Sequence, residues 1–519
     1  MALDLLGRLE RLASRRAGAV VLAAVALSVY AVRAAAWPLR PGRDLDEYLY
    51  FYIQLFDRDV LLPWSMLFRT PGTPVVAGPL LDLWGSILAE PAAALLFAGS
   101  VVAWSAVALA WGPRAALLTA ATLLVYPGWG AMFHELGSEL VMAAAFSLFA
   151  LLLVRRRFAL AGLALAAVVL VRPGNIVLLP LAAVPLLLGG SWRDRGIRAG
   201  TFALAAVAPL AAWTLVNGAR FDHWALARGG NAVIPFYRAF LTDRIVSPEH
   251  GPESRRLGEA VEQHLLTREP YRSYDVTLDE VFSAGSARVH EDMYLLSDEV
   301  FGWDTDYSVL RDAAVEAIED RPGDYASGVL DTFWQQLSEP FYRVVGGARP
   351  QPEPVSESGL PPPTEGQLIP AGQNLWISRP DNAIREEWPT PTTHRFVFDR
   401  PADRSRFEEI VREREELFAG FPDRDGSAWL GNRLNQLGRW FPRPGLFLLA
   451  GLLAIALRRP RDVGVPLALA GGALLVVLLN ALGLPPDPHY VLPVAPAFVL
   501  VAAVGLLGQR REDRLDDAL

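Results

Sequence analysis

Ten apolar stretches constrain this chain more than any other feature of its sequence. A helix that crosses the hydrocarbon core of a bilayer needs about 20 mostly apolar residues. The stretches form two groups, with seven before residue 218 and three after residue 440. They lie at 17–37, 92–111, 114–127, 138–154, 158–171, 174–190, 199–217, 443–457, 463–482 and 489–508. The pattern predicts an all-α polytopic membrane protein with about ten transmembrane helices.

The segment between the two groups, residues 218–440, has the opposite character. It holds 38 Asp and Glu against 24 Arg, whereas the rest of the chain holds 18 acidic residues against 24 Arg. A single soluble domain and a nucleic-acid binder are therefore excluded. The chain has no Cys, which also excludes disulfides and thiolate metal sites. We predict an N-terminal membrane module at 1–217 with seven spans and an outer loop at 38–91, a mainly α soluble domain at 218–440, and a C-terminal membrane module at 441–519 with three spans.

The placement of Arg predicts the orientation, because short cytoplasmic loops collect positive charge. With ten crossings and a cytoplasmic N-terminus, 17 Arg residues fall inside, and the short outer loops 128–137 and 483–488 carry none. An added crossing at 71–90 would move thirteen of them outside, so 71–90 is interpreted as a juxtamembrane or re-entrant segment. The complete absence of Lys, with abundant Ala, Gly, Pro and Leu, is typical of a GC-rich bacterial genome. We therefore predict a bacterial cytoplasmic (inner) membrane protein with both termini cytoplasmic and 218–440 outside.

Two helices and one long loop are predicted within the outer domain. Leu310, Ala314 and Ile318 recur at helical spacing, and that helix should end at Pro322. A second helix is predicted over 404–419. The residues between them are rich in Pro over 346–402, which indicates a loop that serves as a lid or linker.

Polar residues gather at the outer ends of the predicted spans. The carboxylates Asp44, Asp46 and Glu47 offer a general base or ligands for a hard cation. Arg69 and Arg172 offer bidentate partners for a phosphate. The other polar residues at this face are His134, Glu135, Glu139, His489 and Tyr490. Each has an ordinary structural explanation as a helix cap, a snorkelling anchor or an aromatic-belt residue, but together they fit group transfer from a lipid-linked phosphate donor.

The order of these residues resembles the GT-C superfamily of integral-membrane glycosyltransferases, especially the protein O-mannosyltransferases and the lipid A aminoarabinose transferases. The resemblance covers about residues 17–217 and 485–508. It rests on six short motifs: Asp44-Leu45-Asp46-Glu47, Arg69-Thr70-Pro71, Gly112-Pro113-Arg114, Ser138-Glu139, Arg172-Pro173, and Tyr490 followed by Pro493.

The resemblance implies a role for each of these residues. Asp46 would be the general base on the acceptor hydroxyl, with support from Glu47. The residues that would bind the donor phosphate are Arg69, Arg172, His489 and Tyr490. The residues that would line the acceptor side or hold a divalent metal are Asp44, His134, Glu135 and Glu139. The family usually has a basic residue before the final Tyr, so His489 is a departure from the pattern.

The resemblance also implies the substrates. The donor would be a polyprenyl-phosphate sugar, transferred with inversion to a cell-envelope glycan, lipid or protein. A divalent metal ion is a candidate cofactor. Two other functions stay open: a transporter or lipid flippase, and a non-catalytic envelope assembly protein that uses 218–440 for interactions. A transporter predicts acidic residues at mid-membrane and symmetric halves, whereas Arg33 is the main charge within a span and the seven-plus-three arrangement is unequal.

Overall fold

A computed structural model describes residues 15–83, 85–338, 358–370 and 384–509, together with Gly7, Glu10, Arg11 and Ala13. The first part of the chain is helical. Its helices are α1 (Arg16–Ala34), α2 (Leu45–Gln54), α3 (Pro63–Leu67), α4 (Pro74–Asp82), α5 (Gly85–Ala108), α6 (Pro113–Val125), α7 (Pro127–Ala131), α8 (Ser138–Val154), α9 (Phe158–Val171) and α10 (Trp192–Phe221). A 3-10 helix spans Pro173–Leu187, and two short strands are β1 (Arg40–Pro41) and β2 (Glu135–Leu136).

Residues 232–317 of the acidic segment pack on a core of their own, and the segment consists mainly of helices. These are α11 (Gly230–Phe236), a π-helical turn (Tyr237–Thr242), α12 (Pro252–Ala260), α13 (Leu278–Ser283), α14 (Ala287–Phe301), α15 (Ser308–Asp320), α16 (Pro322–Ser338), α17 (Pro401–Phe418) and α18 (Ala428–Arg439). A three-stranded antiparallel sheet comprises β3 (Ser358–Gly359), β4 (Ile384–Thr390) and β5 (Thr393–Phe398), in the order β3-β5-β4. The last helices are α19 (Pro444–Arg458), α20 (Gly464–Gly483) and α21 (Pro496–Leu507).

The chain is a helical multi-pass membrane protein, and an apolar helix occupies each of the ten predicted stretches. Within the described residues, five helices are long and apolar enough to cross a membrane, or six if the bent pair Pro113–Val125 and Pro127–His134 is one span. The apolar helices α8, α9, Pro173–Leu187 and α21 are shorter, at 10–17 residues. Length alone therefore supports five or six crossings, fewer than the ten that hydropathy and Arg placement predict.

The helices predicted within the acidic segment are present as α15 and α17. The predicted Pro-rich loop is more ordered than its composition suggests, because β4 and β5 form a hairpin at 384–398 within it. Residues 346–357 and 371–383 of that loop lie outside the described residues, as do Arg8, Arg510, Arg511 and Arg514, which contributed to the predicted orientation.

The charge that lies within a predicted span, Arg33, has a structural partner. The chain bends by 63° between α6 and α7, where Pro127 interrupts the helix. Such a break leaves carbonyl groups without helical partners. Arg33 Nη2 donates to the carbonyls of Leu124 (2.9 Å) and Tyr126 (3.4 Å), and its guanidinium lies 5.5 Å from the centre of the Phe97 ring. The buried Arg33 therefore caps the broken helix.

Loops that are distant in sequence meet at two separate places. At one, Trp111 Nε1 donates to the carbonyl of Asp462 (3.1 Å), the Gln509 amide donates to the carbonyl of Trp111 (3.0 Å), and Arg114 pairs with Glu10 (2.8 Å). These segments belong to the predicted cytoplasmic side. The loops predicted to lie outside converge elsewhere, around the polar residues described below.

The acidic segment is attached to the end of α20 by hydrogen bonds. Arg238 Nη1 donates to the carbonyls of Ala481 (3.0 Å) and Leu484 (3.4 Å), and the Tyr325 hydroxyl donates to that of Leu482 (2.9 Å). These carbonyls lie at the C-terminal end of a helix, where cationic donors are favoured. The attachment holds the acidic segment next to the loop that leads to His489.

Candidate active site

Two loops that were predicted to lie outside are joined by a short parallel strand pair. Arg40 on β1 pairs with Glu135 on β2, and the Gly42 amide donates to the Leu136 carbonyl at 2.8 Å. A Cβ atom at Gly42 would lie 2.8 Å from that carbonyl oxygen, so only glycine permits this approach. The strand pair brings the acidic residues before α2 next to the start of α8.

The first turn of α2 carries Asp46 and Glu47, the acidic pair that the sequence places in the loop 38–91. Arg69 contacts the Glu47 carboxylate through both Nε (2.7 Å) and Nη2, and its Nη2 lies 3.5 Å from Asp44. The Arg69 guanidinium also lies 5.3 Å from the centre of the Tyr48 ring. A guanidinium held on two sides in this way has little rotamer freedom left to lose when it binds an anion.

A second ion pair lies where α9 meets the start of α8. Arg172 donates from Nε to the Ser138 hydroxyl at 3.0 Å and from Nη2 to the Glu139 carboxylate. The side chains of Arg172 and Glu139 are 19% and 6% exposed, so this is a largely buried pair. The guanidinium lies 5.6 Å from the Tyr490 ring, which places Tyr490 at this pair. This arrangement of an Arg, a carboxylate and a Tyr ring is the same as that of Arg69, Glu47 and Tyr48.

The loop before α21 completes the arrangement. Arg43 donates from Nη1 to Asp487 at 3.0 Å, and His489 Nδ1 lies 3.4 Å from Glu139. Burial opposes protonation of His489, but Glu139 outweighs it, so the pKa of His489 is raised. The protonated form of His489 is therefore favoured by its position beside Glu139. We call Arg43, Asp44, Asp46, Glu47, Arg69, Glu139, Arg172, Asp487 and His489 the outer cluster.

Asp46 differs from the other carboxylates of the outer cluster. Within the described part of the chain it has no ion-pair partner, although the Glu47 amide contributes a hydrogen bond. Burial raises its pKa, and the charges of Arg414 and Arg69 oppose that rise. A half-buried carboxylate without a fixed cation is suited to accept a proton from a bound hydroxyl.

The structure separates His134 from the outer cluster. His134 is fully buried, and its ring stacks on Tyr30 with centroids 4.2 Å apart. Glu135, the next residue, lies within the field of Glu139, Asp487 and His489; burial, the largest effect, raises its pKa to about 7. Among the described residues, no group of three His, Asp or Glu side chains is close enough to hold a metal ion. The acceptor or metal side predicted for Asp44, His134, Glu135 and Glu139 stays a prediction.

Several functional candidates were absent from the sequence prediction. Arg43 directly precedes Asp44 and Asp487 lies two residues before His489, so proximity in sequence was a usable signal for both. Tyr237 and Glu291 come from the acidic segment, and no local signal marks them. Burial raises the pKa of Tyr237, the charge of Arg43 lowers it, and those of Glu291, Asp44 and Asp487 raise it further. The Tyr237 hydroxyl therefore lies within the field of the outer cluster.

Glu291 gives a testable pH dependence of stability. Burial raises its pKa to about 7, against the opposing charge of Arg288. The folded state thus holds its proton more tightly than the unfolded chain, and stability falls as the pH rises through that range. We expect Glu291→Gln to raise Tm above wild type at about pH 8, and this gain to shrink as the pH is lowered to about 5. Glu262→Gln, at an exposed position, is the control, and an equal gain at both pH values would contradict the assignment.

A crystal structure of ArnT from Cupriavidus metallidurans in the apo state is similar at a TM-score of 0.31 and 13% sequence identity, over 94% of this chain and 77% of that one. No family model matches the chain, and no curated protein matches it. The chemical roles assigned to the outer cluster therefore rest on its geometry and on the motifs.

Proposed function

We propose that the protein is a GT-C-type glycosyltransferase that moves a sugar from a polyprenyl-phosphate donor to an acceptor hydroxyl at the extracytoplasmic face. One observation carries the proposal: a carboxylate without an ion-pair partner, Asp46, lies on the same helical turn as an Arg-bound carboxylate, with a second buried Arg pair nearby. This arrangement offers a base and phosphate ligands together, next to apolar helices.

The donor phosphate would bind between Arg69 and Arg172. Arg guanidinium groups bind phosphate through parallel hydrogen bonds, and Glu47 and Glu139 already orient them. Tyr48 lies close to both, since the charges of Arg69 and Arg172 each act on its hydroxyl. The positive charges would stabilise the phosphate oxygen as the glycosidic bond breaks.

The reaction that this arrangement supports is a single displacement. The acceptor oxygen bonds to the anomeric carbon, its proton passes to Asp46, and the electron pair of the breaking carbon–oxygen bond goes to the phosphate. The products are the glycosylated acceptor and a polyprenyl phosphate. A single displacement inverts the anomeric configuration.

The membrane fold supports a lipid-linked donor. A polyprenyl chain would lie among apolar helices while its phosphate reaches the polar residues at their ends. In the proposed orientation both termini are in the cytoplasm, residues 218–440 lie outside the bacterial inner membrane, and the acceptor is an envelope glycan, lipid or protein. Arg33 is the charged residue within a span that a transport pathway would most readily use, but its guanidinium is already engaged as a helix cap.

The decisive experiment is donor turnover by the purified protein in lipid nanodiscs. A panel of polyprenyl-phosphate sugars is incubated with the protein and a mixture of envelope acceptors, with Mg²⁺ or with EDTA, and the release of polyprenyl phosphate is measured. We expect turnover of at least one donor, with the sugar recovered on an acceptor. Donors that bind without any turnover across the panel would contradict the proposal.

A further inference from the structure

Helix α17 of the acidic segment packs on α2, the helix that carries Asp46 and Glu47. The contact has an apolar core formed by Tyr50, Leu62, Trp64, Phe396, Phe407, Ile410 and Val411. An ion pair between Arg406 and Asp57 (2.7 Å) adds a polar contact just beyond the end of α2. The acidic segment thus contacts α2 directly.

Arg414 is a buried charged residue in this largely apolar contact. It is 1% exposed, donates from Nη1 to the Tyr50 hydroxyl, and has its guanidinium 4.8 Å from the centre of the Tyr50 ring. Tyr50 follows Asp46 by four residues and therefore lies on the same face of α2. The guanidinium is thus buried against the face of α2 that presents the proposed base.

A buried guanidinium is costly, and an apolar side chain would serve helix packing as well or better. What Arg414 adds is a positive charge and a directional hydrogen bond. Both act on the face of α2 that carries Asp46, and the charge favours the ionised form of that carboxylate, since it opposes the effect of burial. The cost of burial is understandable if the position and charge state of Asp46 matter.

We propose that Arg414 is a positioning residue of the active site, through which the acidic segment fixes the orientation of α2 and of the Asp46 carboxylate. This inference rests on the proposed glycosyl transfer. The other groups that act on Asp46 are the charges of Asp44 and Arg69 and the backbone amide of Glu47. On another side of α2, the Tyr52 hydroxyl donates to Asp82 of α4 at 2.7 Å. Among the groups that act on Asp46, Arg414 is the one that comes from the acidic segment.

The test compares Arg414→Met, Arg414→Lys and Tyr50→Phe in the full-length protein in nanodiscs. We expect Arg414→Met to lower kcat for transfer by about 10- to 100-fold, because small displacements of a catalytic group are costly, with KM for the donor little changed. Arg414→Lys should recover part of the loss, and Tyr50→Phe should give a smaller one. Arg412→Met on the same helix, where the side chain is 64% exposed, should match wild type.

A second measurement separates this inference from the proposed function. Hydrogen exchange in residues 45–54 should be about tenfold faster in Arg414→Met than in Arg412→Met, whether or not a donor has been found. If Arg414→Met does not fold, Tyr50→Phe gives the same comparison at lower amplitude. Unchanged exchange in 45–54, an unchanged kcat, or an equal loss of kcat in Arg412→Met would overturn the inference.

Discussion

Asp46→Asn is expected to lower the rate of sugar transfer by about 10²- to 10⁴-fold, the usual contribution of a general base. The substitution keeps the size and shape of the side chain and removes its ability to take up a proton. Asp46 has no ion-pair partner in the described part of the chain, so no cation is left unpaired. Burial already opposes its charge, and Tm should therefore not fall. The measurement is kcat and donor KM under saturating acceptor, together with Tm.

The matched control is Glu47→Gln on the same turn. It removes the negative charge that pairs with Arg69, so both stability and donor binding should decrease, in contrast to Asp46→Asn. A comparable loss of Tm in both variants would mean that Asp46 is structural. Transfer at wild-type rate by Asp46→Asn would refute its assignment as the base.

Arg172→Gln is expected to lower both stability and transfer. The variant leaves the Glu139 side chain, 6% exposed, without its principal cation. Removing one partner of a buried ion pair costs about 3–5 kcal/mol. His489 Nδ1, 3.4 Å from Glu139, would offset part of that cost. Loss of a phosphate ligand should also weaken donor binding, which is measured beside thermal unfolding in lipid nanodiscs.

The double variant Arg172→Gln/Glu139→Gln separates the two effects. It removes both buried charges, so Tm should recover most of the loss seen in Arg172→Gln, because a neutral pair no longer has an uncompensated charge. Donor binding and transfer should stay low, since the proposed phosphate ligand is still absent. Recovery of transfer along with Tm would show that Arg172 acts only by stabilising the fold.

The ten apolar helices and α15 and α17 were predictable because each follows from local sequence. Apolar runs such as those of α1 and α20 bury their own backbone hydrogen bonds and need no distant partner to form. The hairpin at 384–398 was missed, because the Pro-rich composition indicated a loop. The pairing of β4 with β5 depends on tertiary packing. By the length criterion five or six helices can cross, since α8, α9 and α21 are short, and the predicted number of ten crossings stays a prediction.

The positions of Asp46, Glu47, Arg69, Glu139 and Arg172 were predicted from motif order, and the structure brings these residues together. Their pairing was not predictable, because several cations and carboxylates of the region could have combined differently. His134 shows the limit: it adjoins Glu135 in sequence, yet it stacks on Tyr30 in a buried position away from the outer cluster.

By itself, the sequence determined the helical membrane architecture, the division into apolar and acidic segments, and most of the polar residues at the proposed active site. These properties depend on hydropathy, periodicity and short motifs within a few residues of one another. Only the tertiary structure decided that Arg43 pairs with Asp487 across 444 residues and that Arg414 contacts Tyr50 across 364 residues. Such contacts depend on how whole helices pack, so no local pattern encodes them.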